Sequence, residues 1–181
     1  MYKFAAASAN ELFVFGAARP GCTDPQVHAW VEFMQNQGIQ RVCCLLSETQ
    51  LTRYSDLLGV YQQAFGLEQV CWAPIEDFNL VTPEMLIHQI LPFLSTANQR
   101  REPVVVHCSG GVGRTGHVLA AWLVAEHGFS NQLAIAAVKQ TGRNPCEAVI
   151  AAPLCGRNPW VVAAKLNMLL DDCQRFRNGL V

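Results

Sequence analysis

Three observations predict an α/β fold: a single domain over residues 1–181 with a mostly parallel central sheet flanked by helices on both faces. The chain has 181 residues, 51% of them apolar and 15% charged, so it can bury one sizeable core and is too weakly charged to be disordered. The run IQRVCCLL at 39–46 lacks the alternation of a half-exposed strand and reads as one buried on both faces. Strand-like and helix-like segments alternate along the chain, as parallel strands joined by crossover helices require.

Taken in order, ELFVF at 11–15 reads as a strand ending at Gly16, and the turn formers RPGCTDP follow it. Thr23 or Asp24 caps the next helix, Pro25 suits its first position, and Gly38 stops it. The buried strand at 39–46 comes next, then a helix over 51–65 and a strand at 68–75 closed by Pro74. EDFNLVTP is a polar loop, and Thr82, Pro83 and Glu84 open a helix running to about Asn98, which Pro92 kinks or breaks. PVVVHC is a β-branched strand; a glycine-rich loop and the helix GHVLAAWLVAEHG follow it directly. Helical stretches at about 130–140 and 158–177 complete the pattern. GRNP occurs at 142–145 and again at 156–159, and two turn-like tetrapeptides do not make a structural repeat.

Charge and cysteine usage narrow the function classes. Thirteen Lys plus Arg against fourteen Asp plus Glu leave a formal charge of −1, so no global basic field attracts nucleic acid or anionic membrane, and affinity for an anion has to be built locally. Eight cysteines run from Cys22 to Cys173 without framework spacing or a secretory signal, which fits a reducing, cytoplasmic setting. The longest apolar run, VLAAWLVA at 118–125, is too short to span a bilayer. The histidines have no metal-site spacing and Cys43 and Cys44 point to opposite faces of a strand, so neither a metal nor any other cofactor is expected, and the chain is expected to be monomeric.

HCSGGVGRTG at 107–116 carries the chemistry, and it has three readings. Gly111, Gly113 and Gly116 form a G-x-G-x-x-G between strand and helix, but the acidic residue that a dinucleotide site needs about 20 positions later is missing from GFSNQLAIAAV. A nucleotide-triphosphate loop needs Gly and Lys where the chain has Cys108 and Arg114. The third reading uses every unusual residue. Backbone amides of Ser109, Gly110, Gly111, Val112 and Gly113 turned inward form a nest for a tetrahedral oxyanion, helped by the helix N-terminus that follows. The same field favours a Cys108 thiolate nucleophile, Arg114 offers a planar fork to two phosphoryl oxygens, and Thr115 offers a hydroxyl to the sulfur as it leaves. His107 is expected to orient the loop by hydrogen bonds.

H-C-S-G-G-V-G-R-T-G resembles the H-C-x(5)-R-[ST] signature of the cysteine-dependent protein phosphatases, the protein tyrosine phosphatase superfamily. The likeness is to its dual-specificity members, and GIQRVCCLLSETQLTRYSDLLGVYQQAFG with PIEDF looks particularly like the corresponding stretch of the cyclin-dependent-kinase-associated phosphatase. It covers about residues 11–140. The resemblance implies a phosphocysteine mechanism and a general acid on a loop some thirty residues before the nucleophile. The family pattern of proline, an apolar residue, any residue and Asp selects Asp77 over its neighbour Glu76. The second cysteine that some relatives oxidise against the nucleophile is replaced by Leu46, with Cys44 two residues earlier on the same face. Asn144 and Asn158 are candidates for positioning the hydrolytic water, each with a turn-forming alternative.

The implied substrate is a phosphorylated protein or peptide. The chain lacks room for the insertions that deepen tyrosine-specific pockets, so phosphoserine and phosphothreonine are expected beside phosphotyrosine. No lysine lies inside the loop, which disfavours polyphosphoinositides, while Arg19 either contacts a second anionic group or is an exposed structural arginine. A lipid or small-molecule phosphatase is the alternative, and a non-catalytic phosphopeptide-binding module is disfavoured by an intact signature.

Overall fold

In the computed structural model, which describes residues 2–177, five strands lie in the order β1, β2, β5, β3, β4. They are β1 (Ala5–Ala6), β2 (Val14–Ala18), β3 (Arg41–Cys44), β4 (Val70–Trp72) and β5 (Val104–Cys108), all parallel except β1, which pairs antiparallel with β2. The helices are α1 (Asp24–Asn36), α2 (Glu48–Leu51), α3 (Leu57–Phe65), α4 (Pro83–Met85), α5 (Leu91–Arg100), α6 (Gly113–Ala125), α7 (Asn131–Gln140), α8 (Glu147–Ala151) and α9 (Pro159–Arg177). The expected α/β architecture is present.

Strand alternation sorts the buried side chains onto two faces. Val42, Cys44, Leu46 and Val105 pack against α1 and α3 through Trp30, Met34, Leu57 and Tyr61. Cys43, Leu45, Val104, Val106 and Cys108 pack on the opposite face, in one core with Leu91 and Leu94 of α5, α6, and Leu169 and Leu170 of α9. Every residue of α6 is buried, the signature of a helix surrounded by protein on all sides.

Several boundaries differ from the sequence expectation, each for a local reason. Gly16 does not end β2 but lies inside it, where a side chain would collide with the guanidinium of Arg143. Of the helix expected over 51–65 the structure forms 57–65 as α3, which starts where the Asp56 carboxylate accepts from the Gly59 amide, and the short α2 precedes it as a separate turn. The helix expected from Thr82 to about Asn98 is interrupted before Pro92: a π-helical turn at Leu86–Ile90 separates α4 from α5, and the proline stands in the first turn of α5, where its missing N–H costs no hydrogen bond. The α6 helix begins three residues before Gly116, inside the signature itself. The two-residue strand β1 and the five-residue helix α8 are too short for periodicity to reveal.

Candidate active site

Cys108 is the last residue of β5, the middle strand of the sheet, and it is 2% exposed. The loop after it turns within four residues into α6. Gly111 makes the turn possible: its φ is +67°, and a side chain there would press into the backbone at Ala17 and Ala18. Farther on, a side chain at Gly113 would occupy the place of Glu147, and one at Gly116 would sit 3.0 Å from the backbone nitrogen of Pro145. The Arg19 amide donates to the carbonyl of Cys108 at 2.9 Å, tying the loop to the end of β2. Among the described residues, the amides of Ser109, Gly110, Gly111 and Val112 donate to no other protein group. Four adjacent free donors at the start of a 13-residue helix make a cradle suited to an oxyanion.

Arg114, on the first turn of α6, is 3% exposed and reaches across to two other segments. Its Nη1 donates to the Ile75 carbonyl at 2.8 Å and to Gln50 Oε1 at 2.7 Å, while Nη2 lies 2.6 Å from Asp77 Oδ1. That last approach is out of line with the N–H bonds, so it is an ion-pair contact and not a hydrogen bond. Gln50 Nε2 donates to the other Asp77 oxygen at 2.9 Å. The Asp77 side chain is 51% exposed, so an almost wholly buried cation meets a carboxylate at the mouth of the site. Glu76, the neighbouring acid, is exposed and has no ion-pair partner among the described residues.

Thr115 is fully buried, and its hydroxyl has no hydrogen-bond partner among the described residues. The expectation for His107 needs correction. Neither ring nitrogen makes a well-formed hydrogen bond, and the ring packs edge-on against Trp30 and Tyr61. Burial lowers its pKa to about 3; the Cys108 backbone opposes this, and the positive fields of Arg114 and Arg19 add to it. A neutral His107 therefore supports the strand by packing. Likewise burial lowers His117 to about 4, and its Nε2 accepts from the Val81 amide at 3.1 Å, joining α6 to the far end of the loop that carries Asp77.

Arg19 is not an idle surface group: its Nη1 donates to Tyr54 Oη at 2.8 Å and contacts Cys22 Sγ at 3.1 Å. Asn144 and Asn158 both spend their side-chain oxygens on turns, accepting from the Cys146 and Trp160 amides. Cys44 lies on the sheet face opposite Cys108, beside Leu46, and burial pushes its thiol up to about 12. A bridge from Cys44 to Cys108 would have to cross the sheet.

Three residues of the site escaped sequence reasoning. Gln50 was one polar residue in an expected helix, and only the fold sets it between Arg114 and Asp77. Arg143, from the first GRNP, is 3% exposed, and its charge is met by the Lys3 carbonyl and by the carbonyl and hydroxyl of Thr141, not by a carboxylate. Burial lowers its pKa to about 10, opposed by the field of Cys108. Arg157, from the second GRNP, donates to Phe78 and Asn79 beside Asp77. The duplicated tetrapeptide was the available signal.

The vaccinia virus (strain Copenhagen) dual specificity protein phosphatase OPG106 is 33% identical over 60 residues, which is 33% of this chain and 35% of that protein. The chain thus matches about a third of that relative's length. Among solved structures, kinase associated phosphatase (KAP), with its catalytic-site cysteine replaced by serine, superposes with a TM-score of 0.66 at 21% identity, covering 92% of this chain and 86% of that one. PTPMT1 in complex with PI(5)P gives a TM-score of 0.68 at 14% identity, covering 98% and 96%. At such identities the likeness is one of fold. The family described as "Polymorphic toxin system, DSP-PTPase phosphatase" matches residues 15–128, well over half of the chain and the whole of the loop between β5 and α6. The chain belongs to this family of dual-specificity type, cysteine-dependent phosphatases.

Proposed function

We propose that residues 1–181 act as a single phosphatase domain that hydrolyses phosphomonoesters on phosphorylated proteins, phosphotyrosine and also phosphoserine or phosphothreonine, through a phosphocysteine intermediate. The observation that carries this reading is the meeting of Cys108, a cradle of free amides, buried Arg114 and half-exposed Asp77 at one end of the sheet.

In the first step the phosphate takes the place of the Asp77 carboxylate on the Arg114 fork, with its other oxygens on the amides of Ser109, Gly110, Gly111 and Val112 and the free Gly113 end of α6. Released from Arg114, the Asp77 carboxylate takes up a proton from solvent; the Cys108 thiolate attacks phosphorus, the bond to the leaving oxygen breaks, and Asp77 gives that oxygen the proton. In the second step Asp77, now a carboxylate, takes a proton from water as the water attacks phosphorus and the P–S bond breaks. The Thr115 hydroxyl donates to the departing thiolate, leaving inorganic phosphate and the starting enzyme. Gln50 holds the acid and the clamp in register throughout.

A thiol nucleophile that has to stay reduced favours a cytoplasmic setting. No described helix is long and apolar enough to cross a membrane. Cys108→Ser is expected to lower turnover of p-nitrophenyl phosphate by at least about a thousandfold while competitive phosphate binding persists. Turnover close to the parent would overturn the mechanism, and a parent protein that binds phosphopeptide without turnover would identify a binding module.

A second reading, a lipid or small-molecule phosphatase, draws on an apolar groove of about 470 Å³ beside the acid loop, lined by Leu80, Val81, Val162, Met168 and Leu169 with Lys165 among them. Phosphopeptides and phosphoinositides compared side by side at equal concentration separate the two, the protein reading requiring the higher kcat/KM on phosphopeptide.

A further inference from the structure

The segment that presents Asp77 is held in a conformation its own residues do not favour. The Asn79 amide donates to the Glu76 carbonyl at 3.1 Å, closing a β-turn with Asp77 and Phe78 at its two corners. Phe78, at the second corner, has a φ of +58°, a left-handed conformation that such turns normally assign to glycine or asparagine. A bulky residue there persists only where its surroundings over-determine it. Little of that support comes from burial, since Phe78 is 44% exposed.

The support comes from Arg157. Its Nη2 donates to the Phe78 carbonyl at 2.6 Å, and its Nη1 donates to Asn79 Oδ1, so one planar guanidinium grips the second corner and the exit of the turn. Arg157 is anchored in turn. Its amide donates to the Ala152 carbonyl at 2.8 Å, Gly156 before it takes a φ of +66°, and Asn158 after it accepts from the Trp160 amide at the start of α9. The other end of the acid loop is held independently, by the Val81 amide on His117.

We propose that Arg157 is a positioning residue for the general acid: by fixing the left-handed turn at Phe78 it keeps Asp77 over the leaving oxygen once phosphate has displaced the carboxylate from Arg114. This inference rests on Asp77 being the acid. Arg157 touches neither phosphate nor nucleophile, so its loss acts on proton transfer and leaves phosphate binding intact.

Arg157→Met keeps the unbranched stem of the side chain and removes its guanidinium donors, and Arg157→Lys restores a cationic donor. Turnover of phenyl phosphate, whose leaving group needs a proton, and of p-nitrophenyl phosphate, whose leaving group needs it far less, is measured across pH beside Asp77→Asn and the double variant. Arg157→Met is expected to lower kcat on phenyl phosphate about tenfold and on p-nitrophenyl phosphate less than about twofold, with the inhibition constant of inorganic phosphate unchanged and Arg157→Lys in between. In the double variant the Arg157 change adds nothing to Asp77→Asn. Circular dichroism and melting curves establish that the variants fold; if Arg157→Met does not, Asn79→Ala, which removes one arm of the grip, is held to the same ratio.

Parallel loss on both substrates, or a full further loss in the double variant, would overturn the positioning role. If Asp77→Asn discriminates between the leaving groups and Arg157→Met does not, the Arg157 inference alone fails. If Asp77→Asn does not discriminate, the assignment of the acid fails and takes the inference with it.

Discussion

The loop from Cys108 to Gly113 and the loop from Ile75 to Val81 meet at Arg114, yet they hold their shapes by opposite means. The first is built into the core: Cys108 ends a buried strand, the tightest corner is a glycine with a positive φ against the backbone of β2, and the far side is the first turn of a wholly buried helix. The second lies at the surface with a non-glycine residue at its left-handed corner, held by side chains from elsewhere: Gln50 and Arg114 on Asp77, Arg157 on Phe78 and Asn79, and His117 on Val81. A phosphate cradle has to be rigid before substrate arrives, because its backbone dipoles act only in a fixed arrangement. A general acid has to meet one atom of a leaving group and then let it go, and a surface loop on side-chain ties suits that task.

The contrast is sharpest at Gly111. Gly111→Ala places a Cβ against the Ala17 carbonyl at a positive φ, so it is expected to destabilise the fold by about 2–4 kcal/mol and to lower activity on every substrate more than about a hundredfold. A melting temperature within about a degree of the parent would mean that the loop is not locked to β2 as described. Asp77→Asn tests the other side: about a hundredfold loss on a poor leaving group, far less on an activated one, and little change in unfolding free energy, since the residue is half exposed. Equal losses on both substrates would reassign the acid.

Gln50 belongs to both loops through its two hydrogen bonds, and Gln50→Leu removes a charge-assisted partner from Arg114 and a donor from Asp77. About a tenfold fall in kcat/KM is expected, and kinetics unchanged from the parent would remove Gln50 from the site.

Glu11 provides a control outside both loops, read in stability alone. Burial by itself would raise its pKa, but hydrogen bonds from His127, the Phe13 amide and Trp122 outweigh it and bring the carboxylate from 4.5 to about 2. His127 is raised, first by its hydrogen bond to Glu11 and against the opposing effect of burial. A depressed carboxylate stabilises the fold above its unfolded value and loses that contribution as pH falls toward about 2; a raised histidine stabilises below its unfolded value and loses that contribution as pH rises through its folded one. Glu11→Gln is therefore expected to cost about 2–3 kcal/mol between about pH 4.5 and 6.5, with the gap to the parent narrowing on both sides of that window while kcat holds. Urea unfolding at three pH values checks this, and a pH-independent gap would contradict the linkage.

The two loops also differ in how far they can be read from the chain. HCSGGVGRTG declares its geometry because glycines are conformational instructions and a thiol separated by five residues from an arginine has few structural uses. PIEDF declares little, since an acid in a turn is ordinary, and proline spacing taken from a resemblance was needed to separate Asp77 from Glu76. The two GRNP copies read as plain turns, which their asparagines do form, but their arginines reach past the turns to the sheet and to the acid loop.

Local rules written along the chain determined the α/β class, the order of the principal strands and helices, and the strand, loop and helix that carry Cys108 and Arg114. Backbone dihedral preferences and apolar periodicity act between residues close in sequence, so a reader of the chain meets them together. Only the tertiary structure decided that Gln50 bridges Asp77 and Arg114, that buried Arg143 packs against Gly16, that His107 packs without well-formed hydrogen bonds, and that Arg157 grips the turn at Phe78. Those contacts join residues 27 to more than 100 positions apart. Their partners are chosen by how the elements pack, and nothing in the spacing of the residues along the chain encodes that choice.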